Sequence, residues 1–251
     1  VTTAPSPDFR ARLRAGTTLL GTLCTVADPD VVERVAGAGP DWLFLDGEHG
    51  SFAGEGLRDA LRAAGPVPCL VRVPSVDGPW IGRALDAGAA GIIVPQVRAV
   101  DDVRRAIAQS QYAPAGTRGV GAPRARWLDS GSSVALSDDR VVVVAQIETG
   151  EALDALDALL DLNRLDALFI GPNDLAAALG HPGRLDHPDV RAAILQVAAR
   201  CSARARPCGI FATTAAALAA WRVTGITMPC VGVDLLLLEQ ALRQQLQDAR
   251  A

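Results

Sequence analysis

The sequence predicts a (β/α)8 barrel formed as a single domain over residues 1–251, and three observations lead to it. Short apolar runs recur along the chain, each followed by a polar turn and then by a segment with helical spacing. The runs are apolar at consecutive positions rather than at alternate ones, which is the pattern of parallel strands covered on both faces. Eight of them fit into 251 residues, with no compositional shift sharp enough to mark a domain boundary. A doubly wound sheet is the alternative that the same alternation allows.

Taken in order, the first strand is "TLLGTLCTV" (18–26), followed by the helical "DPDVVERVAGAG" (28–39), where Asp28 can cap and Pro29 suits the first turn. "WLFLD" (42–46), "PCLVRVP" (68–74) and "GIIVPQV" (91–97) supply the second to fourth strands. The longest irregular stretch, "APAGTRGVGAPRARWLDSGSSVALSDD" (113–139), separates the fourth strand from the fifth, and a loop of this length is expected to be functional or mobile. "VVVVAQIE" (141–148), "ALFIG" (167–171), "PCGIFAT" (207–213) and "MPCVGVD" (228–234) complete the set. The amphipathic "HPDVRAAILQVAARCSARA" (187–205) and "LLLLEQALRQQLQDAR" (235–250) are the longest helical candidates near the end.

Composition narrows the function. A net charge of -4, with arginines and acids interleaved, leaves no basic stripe for nucleic acid. No apolar run approaches the roughly 20 residues of a membrane span, and the opening residues lack the apolar region of a secretory signal. A cytoplasmic protein is the expectation, with no membrane partner. The five cysteines, an odd count without a C-x-x-C pair, are expected as reduced core thiols. All 24 basic residues are arginine, so imine-forming aldolases, pyridoxal phosphate enzymes and P-loop proteins are excluded for want of an amine.

Barrel enzymes carry their chemistry at the C-terminal strand ends, so reactive side chains should gather there. The second strand ends in Asp46, Glu48 and His49, the third in Arg72, the fourth in Gln96, and the fifth in Gln146 and Glu148. The sixth reaches Asn173 and Asp174, and the eighth ends at Asp234. Glu148 and Asp174, on consecutive strands, would repel each other unless a hard divalent cation such as Mg²⁺ or Mn²⁺ joined them. Alternatively each caps the helix that follows it. Arg72 either faces an anion or pairs with a structural carboxylate across the barrel mouth. His49 is the histidine placed for proton transfer, with Asp46 or Asp86 to orient its ring, whereas His181 and His187 lie in a loop where exposure or capping explains them.

The motifs "AGAGPDWLFLDGEHG", "LVRVP", "ALDAGAAGIIVPQV", "AGTRGVG", "QIETGEAL", "FIGPNDLAAALG" and "VGVDLLLL" together resemble the HpcH/HpaI family of metal-dependent class II pyruvate aldolases, from about Gly21 to about Leu238. The resemblance implies a (β/α)8 barrel whose last helix is exchanged between subunits of a homo-oligomer, usually a hexamer. It implies that Glu148 and Asp174 bind a divalent metal ion, Mg²⁺ or Mn²⁺ with Co²⁺ or Zn²⁺ as alternatives. Gln146, with the backbone around Gly171 and Pro172, would hold pyruvate. Arg72 would stabilise the enolate oxygen, and His49 with Asp86 would form the acid/base dyad, supported by Asp46. The implied reaction joins or splits 4-hydroxy-2-oxo acids, pyruvate and an aldehyde. Oxaloacetate decarboxylation or citrate-type condensation at the same site is the alternative, and a noncatalytic 2-oxo acid binding protein is a further one. The sequence departs from the family pattern at Leu23, Cys24 and Ser51-Phe52, and in the connection from "RGVG" to "QIE".

Overall fold

A computed structural model describes residues 9–121, 138–221 and 225–250. Its eight strands are β1 (Gly21–Cys24), β2 (Trp42–Asp46), β3 (Cys69–Arg72), β4 (Gly91–Val94), β5 (Val142–Ile147), β6 (Ala167–Ile170), β7 (Cys208–Ala212) and β8 (Met228–Val233). They close in sequence order into one barrel, every neighbouring pair parallel, including β8 against β1. The expected (β/α)8 barrel is therefore the fold, and the doubly wound sheet is not. Each strand falls inside its apolar run, because the flanking residues turn towards helices before or after the ladder.

Side chains alternate across the strands, and the barrel accordingly has two apolar cores. The inner one stacks Leu23, Trp42, Phe44, Leu70, Ile93, Val142, Val144, Phe169, Met228 and Cys230. Phe44 meets Phe169 edge-on with ring centroids 5.5 Å apart, and the Trp42 indole N–H donates to the Leu19 carbonyl at 3.0 Å. Phe9 and Leu13 of the first helix, α1 (Phe9–Arg14), join this cluster at the N-terminal end of the strands. That end is thereby closed, and the opposite end is left for a site.

The outer core lies between the strands and the helices α2 (Pro29–Gly37), α3 (Gly54–Ala63), α4 (Trp80–Ala87) and α5 (Val100–Ser110) on one side of the ring. On the other side are α6 (Gly150–Asp154), α7 (Leu156–Leu160), α8 (Pro172–Ala178), α9 (Pro188–Ala203) and α10 (Ala215–Ala219). Asp28 caps α2 as its sequence suggests, accepting from the Asp30 and Val31 amides with Pro29 in the first turn. His187 caps α9 in the same manner. The final helix, α11 (Asp234–Asp248), behaves differently: Leu235, Leu236, Leu237, Leu238, Leu242 and Leu246 are all exposed.

All five cysteines are buried and free. No helix among the described residues is long and apolar enough to cross a membrane. Of the long connection expected over 113–139, residues 122–137 lie outside the described residues.

Candidate active site

The turn after β2 is organised by Asp46. Its Oδ1 accepts the amides of Glu48 and His49 at 3.1 Å each, and the Gly47 amide donates to the Arg72 carbonyl at 2.8 Å. Gly50 closes the turn, since a Cβ there would lie 2.3 Å from the Asp46 carbonyl oxygen. The β2–β3 register sets Asp46 beside Arg72, and the pair is bidentate, with Nε to Oδ1 at 2.9 Å and Nη2 to Oδ2 at 2.7 Å. Burial alone would push the Asp46 carboxyl up, but the Arg72 hydrogen bonds and charge, helped by the two amides, hold it below the usual carboxylate range. Burial likewise opposes the Arg72 charge, and Asp46, Glu48 and Glu148 outweigh it.

This arrangement corrects one part of the sequence reading. Asp46 supports the His49 backbone and Arg72, not the His49 ring. Arg72 pairs with Asp46 and, through Nε at 3.2 Å, with Glu48, so the carboxylate-pairing reading holds, and it also lines the cavity at the mouth. The His49 imidazole is 65% exposed, and its Nε2 lies 3.7 Å from Glu48 Oε2.

Gln146 and Glu148 rise from β5 on the inward face, directly above Val142 and Val144. Glu148, only 1% exposed, accepts the Gln96 amide at Oε1 (2.7 Å) and the Gln146 side-chain amide at Oε2. Burial raises its pKa, and the nearby Asp174 and Glu48 carboxylates raise it further. Burial raises Glu48 also, although Arg72 and His49 pull the other way. A Cβ at Gly171 would sit 2.6 Å from Glu148 Oε2 and 2.8 Å from Gln146 Nε2 and would displace both side chains. Pro172 and Asp174 lie in the first turn of α8. Thr149, not Glu148, caps α6, so the capping alternative for Glu148 falls away.

Leu23, His49, Arg72, Gln146, Gly171, Pro172 and Asp174 share one cavity of about 170 Å³, closed on its apolar side by Phe44, Phe169, Phe211 and Val233. That is small beside the ~300–1,000 Å³ of drug-sized pockets and suits a small metabolite. Asp86 is not among its lining residues. It faces outward from α4, accepts from Arg118 Nη2 at 2.9 Å, and lines a separate open cavity with Arg83, Thr117 and Arg118. The proposed His49–Asp86 contact is therefore not made within one chain, because α4 lies on the outer ring and turns Asp86 towards the α5 side.

The donor set at the mouth fits a divalent cation. Gln146 Oε1 is buried without a hydrogen-bond partner, Glu48 Oε2 meets Arg72 Nε as an ion pair at 3.2 Å, and Glu48, Glu148 and Asp174 influence one another electrostatically with that one arginine among them. Hard oxygen donors of this kind are those that Mg²⁺ and Mn²⁺ take. His181, His187 and Asp189 also gather, away from this cavity, but the two imidazoles stack 3.4 Å apart at 21°. In-plane lone pairs of near-parallel rings do not converge on one ion, and His187 is already engaged as a cap.

Sequence reasoning left out the Gln96 amide, the Arg72–Glu48 ion pair and the aromatic wall. Only the wall had a signal, in the alternate positions 42, 44 and 46 of β2.

Residues 21–241 match the family model described as HpcH/HpaI aldolase/citrate lyase. The chain belongs to that family. Among HpcH/HpaI relatives it is similar to a hydroxypyruvate/pyruvate aldolase of Roseovarius nubinhibens, 37% identical over 97% of this chain and 96% of the relative. It is also similar to a 4-hydroxy-2-oxo-heptane-1,7-dioate aldolase of Salmonella paratyphi A, 37% identical over 92% of this chain and 89% of the other. A solved HpcH/HpaI protein from Burkholderia cenocepacia J2315 superposes with a TM-score of 0.93 at 32% identity, covering 98% and 100% of the two chains. As an HpcH/HpaI member the chain is a carbon–carbon lyase.

Proposed function

We propose that this enzyme cleaves, and in reverse forms, 4-hydroxy-2-oxo acids, with pyruvate and an aldehyde as the other partners, and that it uses a divalent metal ion. The observation that carries the reading is the acid-rich mouth: Glu48, Glu148 and Asp174 act on one another there, while the one arginine among them is shared between Asp46 and Glu48, its Nε 3.2 Å from Glu48 Oε2. Glu148 and Asp174 would hold the ion, Mg²⁺ or Mn²⁺, with Co²⁺ or Zn²⁺ as alternatives. Bound there, it would draw negative charge from the 2-oxo acid oxygens.

The chain's own residues divide the remaining work. Gln146 and the backbone at Gly171 and Pro172 bind the 2-oxo acid end at the foot of the cavity. Arg72, fixed by Asp46, places positive charge beside the keto oxygen as the enolate develops. His49 takes the 4-hydroxyl proton; the C3–C4 bond then breaks, its electron pair passing into the enolate of pyruvate and the aldehyde departing. Protonation of C3 gives pyruvate. Glu48, beside the ring, favours the imidazolium that forms. Phe44, Phe169 and Phe211 exclude water from the reacting carbons.

Leu235 to Leu238, Leu242 and Leu246, exposed on α11, support exchange of this helix with a second copy of the chain, as in a hexamer. A His49–Asp86 dyad would then be made between chains. Five buried free thiols support a reducing, cytoplasmic setting.

The test is pyruvate release from a 4-hydroxy-2-oxo acid before and after chelation, with Mg²⁺ or Mn²⁺ added back. Activity should vanish on chelation and return with the metal. Full turnover by metal-free protein would sink the reading.

A further inference from the structure

Two described non-glycine residues have positive φ, Gln96 at 50° and Ala205 at 49°. Ala205 follows the C-terminal end of α9, where a left-handed residue commonly ends a helix. Gln96 ends no helix. It stands two residues beyond β4, and its left-handed backbone needs another explanation.

The explanation lies on the neighbouring strand, β5. The Gln96 N–H donates to Glu148 Oε1 at 2.7 Å, a charge-assisted bond to a carboxylate otherwise held by a side-chain amide. The following residues repeat the link: Thr149 Oγ1 donates to the Val97 carbonyl at 2.5 Å, and Arg98 pairs with Glu151 at 3.0 Å. Three successive residues of the loop after β4 are thus clipped to the end of β5 and the start of α6. Gln96 itself is exposed, so what it gives Glu148 is its backbone amide. Residues in sparsely populated backbone regions persist where the surroundings enforce them, and they cluster at functional sites.

We propose that Gln96 is a positioning residue: its left-handed backbone aims one amide at Glu148 and holds that carboxylate in the orientation the site uses. The conformation matters and the glutamine side chain does not. This rests on the proposed function for its consequence, since Glu148 is there a metal ligand, but the hydrogen bond can be tested without metal.

Three measurements decide it. In metal-free protein, the Gln96 amide should exchange slowly with deuterated solvent in wild type and quickly in Glu148→Ala; equal rates would overturn the proposal even if aldolase activity were present. Gln96→Val penalises the left-handed backbone and should weaken Mn²⁺ binding by calorimetry, with kcat/KM falling alongside, each about tenfold. Gln96→Gly keeps the amide and adopts the conformation freely, so it should rescue both to within about threefold of wild type. Wild-type affinity and rate in a folded Gln96→Val, or a tenfold loss in Gln96→Gly at unchanged Tm, would refute the assignment. Should Gln96→Val fail to fold, the glycine variant and the exchange measurement still decide. Absence of Mn²⁺ binding by the wild type would instead refute the metal-dependent function and leave the exchange result standing.

Discussion

Two buried carboxylates at opposite ends of the neighbouring strands β5 and β6 have opposite surroundings. Asp166, just before β6 at the closed end, accepts from Arg10 at 2.8 Å, Arg14 at 2.7 Å and the Val143 amide at 3.0 Å. Glu148, just after β5 at the open end, accepts among the described residues from two neutral donors and faces Asp174 and Glu48, with the Arg72 charge nearby. The first is charge compensated by two arginines; the second has neutral hydrogen-bond donors and two neighbouring acids. A buried acid alone therefore signals nothing about function. The balance of its partners does.

Breaking the compensated end should have the largest effect on stability. Asp166→Ala strands the buried Arg10, and denaturant unfolding should register a loss of ~3–5 kcal/mol with kcat unchanged wherever the protein stays folded. A kcat loss at full folding would show that the two ends are coupled.

At the open end, Glu148→Gln should reduce aldol cleavage by ~10³-fold in a pyruvate-release assay, yet leave the metal-free protein as stable as wild type or more so. Destabilisation there would mean that Glu148 is compensated after all. Arg72→Ala should cost ~10²–10³-fold in kcat, read in the same assay, with further instability because Asp46 loses its bidentate partner.

The pH dependence provides the smallest and finest test. Glu148 and Glu48 are raised above their usual value by burial first and by neighbouring carboxylates second, so the folded state binds their protons more tightly than the unfolded chain. Their contribution is fully present below the ordinary glutamate value of ~4.3 and is lost as pH rises through the raised values. Asp46 lies below its usual value, so its contribution disappears only on acidification below ~3.9. The metal-free Tm should thus fall by ~2–4 °C between mildly acidic and neutral pH. Mn²⁺ should flatten that slope; an unchanged slope would place the ion elsewhere.

The sequence by itself pointed to the barrel and to the strand ends where polar side chains gather, with a doubly wound sheet left to the structure to exclude. Consecutive apolar runs alternating with helices admit few topologies, and "WLFLD" carries its own inward alternation of Trp42, Phe44 and Asp46. Capping by Asp28 and His187 was legible because it is local, set by residues one turn apart. The absence of lysine likewise removed imine chemistry without any structure. Tertiary structure alone decided which partner each polar group meets: Asp46 with Arg72 instead of the His49 ring, Asp86 turned outward to Arg118, and the Gln96 amide on Glu148. Those pairings depend on strand register, helix rotation and backbone dihedrals, which are fixed by long-range packing; residue type and spacing specify the groups available and leave their encounters to the closed barrel.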